Sequence, residues 1–106
     1  MKGRTMPSKA TLSLSSHDDT TASFTAVYSA HNEKAKYSLW VACNGYDTDG
    51  VHRSASFAAV VWDGSDGTVT LPLNADPAHP VAVYKASVVL FRDVWAPVSN
   101  TVEFTA

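Results

Sequence analysis

Pro80-Val81-Ala82-Val83-Tyr84-Lys85-Ala86-Ser87-Val88-Val89-Leu90 is the most strand-like run in the chain. Tyr84, Ala86, Val88 and Leu90 fall on one side of an extended backbone and Lys85, Ser87 and Val89 on the other, the period of two that a strand with one buried face requires. A strand is expected over Val81 to Phe91.

Working outward, the same period recurs along most of the chain. Ala10 to Ser15 puts Ala10, Leu12 and Leu14 on one face, and Ala22 to Ala30 does the same with Phe24, Ala26 and Tyr28. Lys36 to Asn44 alternates Tyr37, Leu39, Val41 and Cys43 against Ser38, Trp40, Ala42 and Asn44, so both faces carry apolar surface and a central position is expected. A fourth strand is predicted over Ser54 to Trp62. Asp63-Gly64-Ser65-Asp66-Gly67 then supplies turn residues at hairpin length, and Thr68 to Leu73 is the returning strand. Asn74 to Pro80, with two prolines, reads as a loop crossing between sheets. Beyond Phe91, residues Arg92 to Ser99 read as a loop and Asn100 to Thr105 as the last strand. No segment sustains the i, i+3, i+4, i+7 pattern of an amphipathic helix.

About seven short antiparallel strands separated by polar turns predict an all-β, two-sheet sandwich, with a closed barrel as the alternative. The run through Tyr84 resembles the sixth strand of immunoglobulin-like and fibronectin type III-like domains, in which a tyrosine opens the strand and small and aliphatic residues follow at alternate positions. The resemblance implies that Tyr84 is a corner tyrosine, its ring buried and its hydroxyl returned to backbone of the preceding loop. It covers roughly residues 10–106. It departs from the antibody type, because the two cysteines that would bridge the sheets are missing.

At 106 residues the chain suits one domain. Cys43 is the sole cysteine, so no internal disulfide forms and the core must suffice. Its place in the alternating set of its strand marks it as a small buried hydrophobe rather than a nucleophile. Intracellular synthesis is the expectation, since secreted immunoglobulin domains more often carry a cysteine pair. No run reaches the ~20 apolar residues of a membrane span, and the basic start lacks the apolar segment of a signal peptide. Three of the eight basic residues, Lys2, Arg4 and Lys9, precede Ala10 and no acid does, so a basic arm over residues 1–9 leads an acidic body over residues 10–106. That body would repel nucleic acid.

Candidate chemistry is sparse. His17, His31, His52 and His79 are scattered over predicted loops and strand ends, and no Gly-x-Ser-x-Gly elbow selects a nucleophile, so no catalytic residue is assigned and no enzyme is expected. Asp47-Thr48-Asp49-Gly50 has the opening spacing of a calcium loop, but Ala58 stands where the closing bidentate acid belongs; plain turn aspartates are expected, with no metal and no cofactor. The partner-binding candidates are Lys2, Arg4 and Lys9 of the arm together with Arg92 and Trp95, because tryptophan and arginine are enriched at interface hot spots. Trp40 and Trp62 lie opposite Leu39 and Val41, and opposite Phe57, Ala59 and Val61. If those neighbours face the core, both tryptophans face outward; a Trp40 that is buried or half-buried, as on the third strand of immunoglobulin domains, is the favoured reading.

A lone domain, a missing leader, a single cysteine and a basic arm make the chain similar to small bacteriophage virion accessory proteins. That resemblance implies a structural protein made in the host cytoplasm and carried in the virion, as a capsid decoration or minor tail protein. Its partner would be a capsid or other virion subunit, with homo-oligomer formation open and no nucleic acid or membrane bound. The alternatives are an adhesion or spacer module of a bacterial surface protein and a carbohydrate-binding module.

Overall fold

The computed structural model describes residues 9–91 and 95–106. These form an all-β sandwich of two antiparallel sheets. One sheet has the order β1 (Ala10–His17), β2 (Thr21–Tyr28), β6 (Asp66–Pro72), β5 (Val61–Asp63). The other runs β4 (His52–Ala59), β3 (Leu39–Tyr46), β7 (Val83–Phe91), and the far edge of β7 takes both β8 (Trp95–Pro97) and β9 (Val102–Thr105). β3 and β7 are central, the position expected for β3 from its two-sided apolar pattern.

The alternation sets the core. Phe24, Ala26 and Tyr28 of β2 and Val69 and Leu71 of β6 meet Leu39, Val41 and Cys43 of β3 and Tyr84, Ala86 and Val88 of β7, all of them buried. Cys43 packs as a small hydrophobe, 1% exposed, and burial pushes its thiol pKa up to about 11, which leaves it a poor nucleophile. The loop from Leu73 to Pro80 carries the chain from one sheet to the other, as expected from its prolines.

Three expectations about secondary structure are corrected. The strand expected over Ser54 to Trp62 is two strands in different sheets. β4 pairs with β3, the chain turns inward at Val60, whose N–H still donates to Leu39 O, and β5 pairs with β6. The inward set is therefore Ser54, Ser56, Ala58, Val60 and Trp62, while Phe57 and Val61 are exposed. Trp62 packs on the core, edge-on to Tyr28 at 5.8 Å, and its indole N–H donates to Lys36 O at 2.8 Å. That bond explains the second difference. Residues expected to open the third strand form a short 3-10 helix instead, Glu33–Ser38, started by Asn32, whose side chain accepts from Lys34 N. The helix turns Lys36 into the domain, where its ammonium bonds Gly64 O and Glu33.

The third concerns the stretch expected as a loop before the last strand, which contains β8. Between β8 and β9, Ser99 Oγ accepts from Val88 N and the Asn100 side chain bonds both Leu12 N and Leu12 O, at 2.9 and 3.0 Å. A side-chain amide thus replaces a strand partner along β1. Tyr84 has its buried ring, stacked on Phe104 at 5.2 Å, but among the described residues its hydroxyl has no backbone partner. The tyrosine that ties its hydroxyl to nearby backbone is Tyr28, which donates to Asn32 O.

The crossing at Val60 depends on one glycine. A Cβ at Gly67, the residue paired with Trp62, would overlap Val60 Cγ1 and stand 2.7 Å from Trp62 Cε3. Gly67→Ala is expected to destabilise the fold by about 1–3 kcal/mol, the usual range for overpacking. Adding Val60→Ala should recover part of the loss, measured by urea denaturation of the single and double variants.

Candidate interaction surface

The outer face of the five-stranded sheet is built by the residues that alternate with the core. On β3 these are Trp40, Ala42, Asn44 and Tyr46, and the register sets Trp40 beside Ala59 and Val89, and Ala42 beside Phe57 and Ser87. Ala42 and Ser87 are too small to fill the pleat, so a shallow groove of about 460 Å³ runs over them, with Phe57 on one side, Val89 and Pro97 on the other, and Asn44 at one end. Phe57 is 58% exposed and Trp40 is half-buried, their rings 5.8 Å apart and inclined by 54°. Trp40 thus has the expected degree of burial but lies on the face away from the core, whereas Trp62 has the opposite orientation.

The polar end of this face is tied down. Asn44 bonds the His52 ring at 2.8 Å, His52 lies 5.5 Å from the Tyr46 ring, and the Lys85 ammonium stands 5.6 Å above Tyr46. In the adjoining loop Asp47 Oδ1 accepts from Asp49 N and Val51 N, and Oδ2 from Arg53. These bonds, Val51's first and Arg53's next, hold the Asp47 carboxyl below its ordinary pKa. Asp18 closes the turn between β1 and β2 in the same way, its carboxyl lowered by the backbone N–H groups of Thr20 and Thr21. Both carboxylates serve as turn acceptors, the reading expected for the Asp47 loop.

Among the described residues no three His, Cys, Asp or Glu side chains gather as a metal site. His17 lies against Phe104 and His52 bonds Asn44; neither reaches a serine hydroxyl or a carboxylate. No helix among the described residues is long and apolar enough to cross a membrane.

Of the partner-binding candidates, Lys2, Arg4 and Arg92 lie outside the described residues. Lys9 is held at the edge of the sandwich, its N–H donating to Val98 O and its C=O accepting from Ser29 N, both at 2.8 Å. Trp95 opens β8 opposite Phe91; its side chain lies outside the described part. Lys9 is not among the residues that line the groove. The groove itself was missed in the sequence, although the small residues Ala42 and Ser87 amid large neighbours are its signal. No protein-family model matches the chain, and a search of curated proteins found no match.

The two turn carboxylates contribute to the acid sensitivity of the fold. A lowered pKa in the folded state contributes stability above the ordinary value of 3.8, and the contribution is lost as pH falls through the folded value. The melting temperature should hold from neutral to about pH 5 and then fall. Asp18→Asn combined with Asp47→Asn, which keeps an acceptor oxygen at each turn, should make that fall shallower; an unchanged slope in a thermal melt series would contradict the assignment.

Proposed function

We propose that the protein is a non-enzymatic attachment module, a virion accessory protein of a bacteriophage that decorates the capsid or serves as a minor tail component. The observation that carries the attachment reading is the outer sheet face: Trp40, Phe57 and Pro97 present apolar surface that the core does not use, over a buried Val89. Surface of that kind, rimmed by polar groups such as Asn44 and Lys85, is the composition of protein interfaces. The virion assignment is supported by the resemblance of an immunoglobulin-like sandwich preceded by a basic segment to such accessory proteins.

In this reading binding is surface complementarity without chemistry. The groove supplies apolar area, while Lys2, Arg4 and Lys9, with Arg92 and Trp95, meet an acidic or polar surface of a neighbouring shell subunit. A module that binds only the assembled lattice stabilises it by mass action. A protein surface fits the face better than a sugar ring, because Trp40 and Phe57 are inclined to each other instead of lying as one flat platform.

Cosedimentation with purified phage particles and with shells of the major capsid protein tests the proposal. The full chain should pellet with one of them, and removing residues 1–8 together with Phe57→Ser should weaken binding at least about tenfold while the sandwich melts as before. A chain that pellets with neither, or a variant that binds as well as the full chain, would overturn it.

A further inference from the structure

A sheet edge presents backbone N–H and C=O groups with no strand to pair them, and soluble proteins usually cover, shorten, break or charge such edges. Three of the four edges among the described strands are treated in that way. Along β1, Asn100 bonds both backbone groups of Leu12 and Val98 O accepts from Ala10 N. β5 is three residues long. The far edge of β7 is taken by β8 and β9, short strands interrupted at residues 98–101.

β4 is different. Its pairing with β3 slips at Gly45/Tyr46, and from Ser54 to Ala59 it is regular. The bond from Val60 N to Leu39 O fixes the phase of the ladder, so the even-numbered residues turn their backbone groups to β3 and Ala55 and Ala59 turn theirs outward. Among the described residues the N–H of Ala55 and both groups of Ala59 have no partner, and Ala55 O takes only the Asn74 side-chain amide, at 3.4 Å. No proline or lysine guards the strand, and the charge of Arg53 is already matched by Asp47 at 2.9 Å. Of the large hydrophobic residues exposed among the described ones, Phe57 lies on β4 and Val51 just before it.

We infer that the β4 edge pairs antiparallel with β4 of a second copy of this chain, joining two five-stranded sheets into one. A two-fold axis at Phe57 sets Ala55 of each copy opposite Ala59 of the other, so the outward groups meet as hydrogen-bonded pairs. The same axis brings the two Phe57 side chains together as a cross-strand aromatic pair and joins the two grooves. Arg53 never faces its own copy, so no like charges oppose. This self-complementarity is what selects a second copy over an unrelated strand, and it does not depend on the virion reading.

Analytical ultracentrifugation of the full chain should show a dimer, with the amides of Ala55 and Ala59 protected from hydrogen exchange. In Ala55→Pro the lost N–H points away from β3, so the sandwich should persist while dimerisation weakens at least about tenfold. Phe57→Lys, which sets two like charges together at the axis, should do the same from an exposed position. A wild-type monomer, a dimer in which those amides exchange freely, or undiminished dimerisation of either variant would overturn the inference.

Discussion

Everything in the sandwich depends on the close approach at Gly67. One strand leaves its sheet at Val60 and joins the other, and that step puts Val60 and Trp62 against the backbone of β6 where only a hydrogen fits. Trp62 then reaches Lys36 O, which holds the 3-10 helix, and Lys36 in turn reaches the turn glycine, Gly64, between β5 and β6. The chain between Asn32 and Gly67 is thus closed on itself by one aromatic ring and one buried ammonium. With β5 captured by β6, β4 is left holding the outer margin of the larger sheet.

Much of this was legible, and the parts that were not have physical causes. The alternation through β2, β3 and β7 announced the core because each strand sets large apolar residues inward. In β4 the larger apolar residue, Phe57, points outward and the inward positions are Ser54, Ser56 and Ala58, an arrangement that a hydropathy pattern reverses. β8 was hidden by Pro97, which an interior strand excludes but an edge strand accepts. Asn100 looked like the first residue of a strand, and its part as a surrogate strand partner depends on Leu12, 88 positions away. The groove was obscured for a related reason, since its floor is made of residues conspicuous only for what they lack.

The two polar turns at Asp18 and Asp47 show how sparingly charge is used. Each carboxylate is spent on N–H groups of its own turn, and Arg53 is spent on Asp47. On the outer face of the larger sheet the feature left over is apolar, with Phe57 exposed beside the half-buried Trp40. Such a body is suited to recognition by shape and backbone pairing more than by a pattern of charge.

The clasp between Leu12 and Asn100 also bears on how the chain is made. A ribosome releases β1 long before residue 100, and in the interval the edge of β1 has hydrogen-bonding groups with no intramolecular match. β1, β2 and β6 can pair while synthesis continues, but the two sheets cannot be clipped together until Asn100 has left the exit tunnel. Closure of the sandwich therefore waits on Asn100, and until it arrives both β1 and β4 are open to intermolecular pairing.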